Sequence, residues 1–198
     1  MTYINTDIPQ PGIVELLFYK GPTGKALSKL AHTLLHGPST LSRGERELIA
    51  GYVSHLNGCE FCSDSHCASA DAHFGDEGKT TAFVKSEIMQ APLTDKMKAL
   101  LKLAARVQVG GREVQPEHIE AARETGASDE EIHDTVLIAA AFCMYNRYVD
   151  GLGTNLPENK EDYVEMGKRM AGSGYRYPPL FLRKWVIRSF RKKAQKRN

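Results

Sequence analysis

The stretch SRGERELIAGYVSHLNGCEFCSDSHCASADAH, residues 42–73, predicts two helices joined by a tight turn. Ser42 and Glu45 have the spacing of a capping box, in which each side chain accepts a hydrogen bond from the other residue's backbone amide. The Asn-Gly pair at positions 57–58 tolerates the left-handed backbone that ends many helices, so a second helix can begin at Cys59. We therefore expect a helical hairpin here, with the rest of the chain as scaffold around it.

The hairpin gathers four reactive side chains, which are Glu47, Cys59, Cys62 and His66. On one helix the two cysteines and the histidine share a face, because 3.6 residues per turn brings positions i, i+3 and i+7 to nearly one direction. The helix dipole favours the thiolate form of a cysteine in the first turn, and a neighbouring histidine can take its proton. The turn would fold the Glu47 carboxylate back over that face. These are the requirements of a nucleophilic cysteine.

Helical periodicity continues along the rest of the chain. Apolar residues recur at helical spacing over about 13–19, 23–35 and 95–109, and in a long segment that follows a second capping box at Ser128 and Glu131. No strand-like alternation of useful length competes with these patterns. At 198 residues the chain is long enough for one buried core, so we predict an all-α, single-domain fold.

Composition limits the cellular compartment and the class of protein that we expect. The chain is 41% hydrophobic and 25% charged, and it has no apolar run long enough to cross a bilayer. Its first residues, MTYINTDIPQPGIVELLFYK, lack the features of a signal peptide, so we expect a cytoplasmic protein with reduced thiols. In that compartment a C-x-x-C is redox-active or metal-binding more often than it is a structural disulfide.

The charge of the chain is unevenly distributed. The formal net charge is +2, but residues 183–198 contain eight Lys or Arg and no acid, which leaves a net charge of −6 on residues 1–182. Apolar side chains alternate with these cations at helical intervals, which predicts a basic amphipathic helix. We interpret it as a docked or solvated helix, and leave open a contact with an anionic membrane surface; no specific nucleic-acid partner is expected.

The spacing of the reactive residues resembles that of a known family. The pattern is Glu47, eleven residues, a Cys-x-x-Cys at Cys59 and Cys62, three residues and His66. It resembles the alkylhydroperoxidase D-like group of the carboxymuconolactone decarboxylase superfamily, most closely its peroxidase-related branch. The segment NRYVDGLG at 146–153 also resembles that branch. The decarboxylase branch lacks the cysteine pair, so the resemblance does not imply lactone decarboxylation.

The resemblance implies an alkylhydroperoxidase D-like helical bundle, and it divides the chain into three parts. We expect residues 1–41 to form an N-terminal arm and helices that pack on the core. Residues 42–153 would form the alkylhydroperoxidase D-like core. Residues 154–198 would form a linker and the extra basic amphipathic C-terminal helix.

The resemblance also implies a function, which is reduction of a hydroperoxide by the cysteine pair. It makes Cys62 the peroxidatic nucleophile, Cys59 the cysteine that condenses with it to a disulfide, and Glu47 with His66 the proton relay. A thioredoxin-like or lipoylated protein would reduce the disulfide again. The family implies a homo-oligomer, and we expect neither a cofactor nor a metal.

One position departs from the family pattern. The alkylhydroperoxidase D proteins carry a second histidine immediately before the second cysteine, and here that residue is Phe61. The sequence offers His55, on the preceding helix, as a side chain that could take its place.

A metal site is the main alternative for the cysteines. Cys59, Cys62, His66 and Cys67 lie within nine residues, so a non-catalytic thiol redox sensor or a zinc-binding interaction module stays open as an alternative function. On one uninterrupted helix, however, Cys67 lies about 100° around the axis from His66, which does not favour a four-ligand site. We interpret Cys67 and Cys143 as packed small hydrophobic residues.

Other polar residues belong to no complete motif. His32 and His36 are four residues apart, but no nearby acid or cysteine completes a metal site, so we interpret them as surface or packing residues. Asn146, Arg147 and Asp150 lie near the predicted end of the long helix. Whether they line the site stays open at this point.

Overall fold

A computed structural model describes residues 2–76 and 78–195, and the described chain is built from α-helices and short 3-10 turns without a strand. The predicted all-α class is therefore confirmed. The helices are α1 Ile13–Tyr19, α2 Gly21–His36, α3 Arg43–Leu56, α4 Glu60–Phe74, α5 Lys79–Ser86, α6 Asp95–Val109, α7 Pro116–Glu124, α8 Asp129–Gly151, α9 Lys160–Ser173 and α10 Arg183–Gln195. The 3-10 turns are Ile88–Gln90, Gly111–Glu113 and Leu180–Leu182.

The hairpin of α3 and α4 begins and turns where the sequence predicts. The Glu45 amide donates to Ser42 Oγ at 3.2 Å, and the Ser42 amide donates to Glu45 Oε2 at 2.8 Å, which completes the capping box. Gly58 takes a positive φ of 72°, and Cys59 then begins α4 as its N-cap residue. The second predicted capping box, at the start of α8, is also present.

The core places α3 at the centre of the bundle, where it packs against α4, α6 and α8. Large aliphatic side chains of α3 and α6 are fully buried there, and each contributes about 1.5–3 kcal/mol relative to exposure. Gly51 lets α4 approach closely, because a Cβ at that position would lie 2.8 Å from Cys67 Sγ. Dense packing on both sides of α3 therefore fixes the backbone that carries Glu47.

The sequence analysis places residues 160–173 in a linker, but the structure forms helix α9 there. Lys160–Ser173 is a helix that packs along α4. Tyr163, Met166 and Met170 have helical spacing, but charged neighbours outnumber them and obscure the pattern. Gly167 makes the contact close, because a Cβ there would lie 2.4 Å from the Ala68 carbonyl carbon. The division into parts at residues 42 and 153 stays a prediction.

The basic C-terminal helix α10 is present and docks on α1. Phe190 meets Phe18 edge to face with ring centroids 5.0 Å apart, and Ile187 is buried in the same cluster. Arg183 donates 2.7 Å hydrogen bonds to the carbonyls of Phe18 and Tyr19, which satisfies acceptors at the end of α1. Lys196, Arg197 and Asn198, the end of the predicted basic segment, lie outside the described residues. No helix in the described part of the chain has the length and apolarity needed to cross a membrane.

Candidate active site

Glu47 and His66 meet at the interface of α3 and α4. Glu47 is fully buried, and its Oε2 lies 2.7 Å from His66 Nδ1. Its other oxygen, Oε1, accepts a 2.6 Å hydrogen bond from the Tyr175 hydroxyl, which comes from the segment between α9 and α10. The two predicted relay residues are therefore in direct contact, and a third residue joins them.

The environment keeps Glu47 ionised. Burial alone would raise the pKa of this carboxyl, but the neighbouring His36, His66 and Tyr175 lower it to about 2. Because an ionised carboxylate only accepts hydrogen bonds, we assign the imidazole proton to His66 Nδ1. The other ring nitrogen, Nε2, is then available as a base.

Two aromatic rings pack against the His66 imidazole. Tyr175 stacks on it at a centroid distance of 5.8 Å, and Phe142 meets it edge to face at 4.5 Å. The Tyr175 hydroxyl also lies 3.2 Å from His66 Nδ1. Burial and the charge of Glu47 raise the pKa of Tyr175 well above its ordinary value, so its hydroxyl stays protonated and acts as a donor.

The two cysteines of the pair have different surroundings. Both are free thiols, and both are buried at the start of α4. Cys62 lines a cavity of about 260 Å³ together with His66, whereas Cys59 does not reach it. Hydrogen bonding to Cys62 and burial raise the pKa of Cys59, so this thiol keeps its proton. Cys62 thus lines the cavity, whereas the protonated Cys59 lies outside the cavity wall.

The cavity is lined by α1, α2, α4, α8, α9 and α10 and by the segment 174–177. Its wall is mostly aliphatic and aromatic, with Ile13, Leu17, Phe142, Met166, Met170 and Phe190 among its members. The N-terminal and C-terminal helices supply most of these side chains. Helices outside the α3–α4 hairpin therefore determine what can reach Cys62.

Sequence reasoning misses two residues beside Glu47, which are Tyr175 and His36. No pattern marks Tyr175, because it lies in an irregular Gly- and Pro-containing segment, 128 residues from its partner. The sequence analysis interprets His36 as a surface or packing residue because no acid is near it in the sequence. It therefore overlooks the contact between His36 and Glu47. Its side chain is 3% exposed, and Nε2 lies 3.8 Å from Glu47 Oε1. The acid is supplied by the next helix.

The proposed substitute for the second family histidine is not in the site. His55 is exposed on the last turn of α3, so it does not lean over the cysteines. Phe61 instead packs against Tyr163 of α9, with centroids 6.2 Å apart. A hydrophobic contact occupies the position where the family pattern has an imidazole.

Asn146 and Asp150 connect the end of α8 to the α3–α4 turn. Asn146 is buried, donates to Ser54 Oγ at 2.9 Å and accepts from Asn57 Nδ2 at 2.8 Å. A hydrogen bond with Asp150 is a further contribution to the raised pKa of Cys59. These residues support the turn from behind and do not line the cavity.

The remaining cysteines lie apart from the pair. Cys67 packs against Gly51, and burial raises its pKa to about 12. Cys143 of α8 accepts a weak hydrogen bond of 3.6 Å from Asn57 Nδ2. Within residues 2–76 and 78–195, no group of three or more His, Cys, Asp or Glu side chains has a geometry that could hold a metal ion. The zinc alternative therefore has no supporting cluster in this part of the chain.

Comparison with known proteins gives the family. The sequence profile of the Carboxymuconolactone decarboxylase family matches residues 22–76 and 79–153. The chain belongs to this family. The match ends at 153, so α9, Tyr175 and α10 all lie beyond the residues that the family profile describes.

Solved structures indicate which members of the family this chain is similar to. An uncharacterized peroxidase-related protein from Silicibacter sp. TM1040 is 25% identical with a TM-score of 0.70, over 78% of each chain. Another, from Ralstonia eutropha JMP134 and described as an alkylhydroperoxidase AhpD core, is 25% identical with a TM-score of 0.69, over 79% of this chain and 81% of that one. These matches confirm the predicted alkylhydroperoxidase D-like membership.

A third structure supports the fold alone. It is a protein of unknown function from Agrobacterium tumefaciens, 23% identical with a TM-score of 0.65, over 80% of this chain and 100% of that one. Among curated proteins there is no match.

Proposed function

We propose that the protein reduces hydroperoxides through a thiol–disulfide cycle in which Cys62 is the nucleophile. The observation that carries this proposal is the shared position of Cys62 and His66 on the cavity wall, with Glu47 behind the imidazole. A substrate in the cavity meets one sulfur and one base. Membership of the family and similarity to structures described as peroxidase-related support the same chemistry.

The first step oxidises Cys62 and reduces the peroxide. His66 Nε2 takes the thiol proton, and the thiolate attacks the terminal oxygen of ROOH. A sulfur–oxygen bond forms, the O–O bond breaks, and the leaving alkoxide takes the proton back from His66 to become ROH. Cys62 is then a sulfenic acid.

The second step forms the disulfide. The Cys59 sulfur attacks the Cys62 sulfenic acid, the S–O bond breaks, and water leaves with the Cys59 proton. An external dithiol, on a thioredoxin-like or lipoylated protein, would then reduce the disulfide by exchange. The identity of this partner and the assembly of the chain as a homo-oligomer stay predictions.

Tyr175 acts in this cycle as a positioning residue. Its hydroxyl donates a hydrogen bond to one oxygen of Glu47, which leaves the other oxygen to accept from His66 Nδ1. The imidazole is thereby held in the tautomer that can accept a proton at Nε2. A tyrosine from the C-terminal segment thus supports the relay where this chain has Phe61 in place of the second family histidine.

Turnover with a small hydroperoxide tests the proposal. We expect the reduced protein to consume dithiothreitol in the presence of tert-butyl hydroperoxide, and Cys62→Ser to abolish this consumption above the uncatalysed rate. Cys143→Ser is the matched control, because Cys143 lies outside the cavity wall, and it should retain turnover. Unchanged turnover in Cys62→Ser would refute the role of Cys62.

A further inference from the structure

The cavity has an uneven distribution of charge, and this points to the kind of molecule that enters it. We propose that the cavity binds a single-chain carboxylic acid, with the carboxylate at Arg169 and Arg176 and the apolar chain extending toward Cys62. This inference rests on the proposed function, because it makes the hydroperoxide of such an acid the preferred substrate. Arg169 and Arg176 both lie beyond the residues matched by the family profile.

The wall is suited to a hydrocarbon chain. Side chains of α1, α8, α9 and α10 present aliphatic and aromatic surface to the cavity, and they surround the approach to Cys62. Burial of each further methylene group in such surroundings is favourable, so affinity should rise with chain length. A short polar peroxide would leave most of this surface without a partner.

The charged members of the wall are all cationic. Arg169 of α9 and Arg176 line the cavity, and no Asp or Glu is among its lining residues. Both arginines are otherwise exposed, which places them where the cavity opens to solvent. None of the ion pairs found within residues 2–76 and 78–195 includes Arg169 or Arg176. Two such guanidinium groups beside an apolar wall fit an anion attached to a chain, because guanidinium binds carboxylate with matched geometry.

Size favours one chain over two. The cavity volume of about 260 Å³ lies just below the roughly 300–1,000 Å³ range of drug-sized ligand sites. A two-chain phospholipid needs considerably more room than a single medium-length chain. We therefore commit to a free carboxylic acid, with a phospholipid as the competing source of an anion on an apolar chain.

Binding of an unreactive acid tests the site independently of any peroxidase activity. We expect decanoate to bind, by isothermal titration calorimetry, about tenfold more tightly than methyl decanoate, since the ester lacks the charge that the arginines recognise. In the double variant R169Q/R176Q the two affinities should become equal within about twofold. The control R106Q/R112Q removes two exposed arginines that do not line the cavity and should keep the native preference.

The outcomes separate the two proposals. Equal binding of acid and ester to the native protein, no binding of either, or an unchanged preference in R169Q/R176Q would each overturn the carboxylate site, whatever the protein does to peroxides. Tighter binding to vesicles of an anionic phospholipid than to decanoate would overturn the choice of a free acid.

For turnover, we expect kcat/KM to favour a medium-chain hydroperoxy acid over its methyl ester about tenfold, and R169Q/R176Q to remove that ratio. A ratio that survives in this double variant would likewise count against the arginines.

Discussion

The α3–α4 hairpin and the C-terminal region 160–190 contribute different things to one site. The hairpin supplies Glu47, both cysteines and His66 from a short stretch of chain whose helix start and turn are encoded locally. The C-terminal region supplies α9, Tyr175 and much of the cavity wall from far along the sequence. The difference teaches that the reactive residues and the cavity around them can be encoded in separate parts of the chain. The family profile covers the hairpin and ends before the C-terminal region.

The two regions also meet along α4, which packs against both α3 and α9. Gly51 permits the contact with α3, and Gly167 permits the contact with α9. Ser65 and Ser69 of α4 are buried as well. A helix covered by two others holds its cysteines away from water, so removal of the C-terminal cover should change the site without touching any reactive residue.

The largest effect that we expect from a single change on the hairpin side, apart from loss of Cys62, is that of Glu47→Gln. A neutral amide no longer fixes His66 as a base, and a positioned proton relay contributes about 10²–10⁴-fold to rate. We expect kcat/KM for tert-butyl hydroperoxide to fall at least about 10²-fold. The control is Glu165→Gln, an exposed acid of α9. Equal rates for the native protein and Glu47→Gln would exclude the carboxylate from the mechanism.

Acid unfolding should report on the same carboxylate. The pKa of Glu47 in the folded protein is lowered to about 2 from 4.5, so its stabilisation is complete above pH 4.5 and is lost as the pH falls toward 2. At about 1.4 kcal/mol per pKa unit, the loss is on the order of 3 kcal/mol. Urea titrations between pH 5 and pH 2 should show this loss in the native protein and not in Glu47→Gln. Parallel pH curves for the two proteins would contradict the assignment.

The contact between the regions can be weakened at a single glycine. In Gly167→Ala the new methyl group would overlap the Ala68 backbone, and overpacking of this kind typically costs about 1–3 kcal/mol. We expect the free energy of unfolding to fall by about 2 kcal/mol. Gly172→Ala is the matched control on the same helix, because a methyl group there would meet nothing within 4 Å and alanine favours a helix. If both substitutions had the same effect, the close approach of α9 to α4 would not matter for stability.

The smallest of these effects should come from Tyr175→Phe. The ring and its stacking on His66 remain, but Glu47 Oε1 loses its 2.6 Å donor, which costs about 1–3 kcal/mol for a buried charged acceptor. We expect kcat/KM to fall about tenfold. Because that donor favours the ionised carboxyl, its loss should also raise the pKa of Glu47 and move the acid-induced loss of stability to higher pH. Tyr148→Phe, on α8, serves as the control. No change in either quantity would show that the C-terminal region only covers the site.

Much of the hairpin is predictable because its signals are short-range. Ser42, Glu45 and the Asn-Gly turn specify where α3 begins and where it ends, and the spacing of Cys59, Cys62 and His66 follows from the helical repeat. The contact of Glu47 with His66 then follows from packing two adjacent helices side by side.

The rest of the site depends on contacts between residues distant in sequence. Tyr175 reaches Glu47 from an irregular segment, and neither its residue type nor its spacing indicates that contact. His36 meets an acid on a different helix, so a search for nearby ligands does not find it. Helix α9 is held by a close backbone approach at Gly167, and its charged composition resembles that of a linker.

The most direct test of the central claim is to map the thiols after a single oxidation. The fully reduced protein, with its four cysteines, is treated with one equivalent of tert-butyl hydroperoxide under denaturant-free conditions, and its free thiols are then counted and its peptides sequenced by mass spectrometry. We predict the loss of two thiols and a disulfide that joins Cys59 to Cys62, with Cys67 and Cys143 still reduced. Loss of two thiols without that disulfide, or no loss at all, would contradict the proposed cycle.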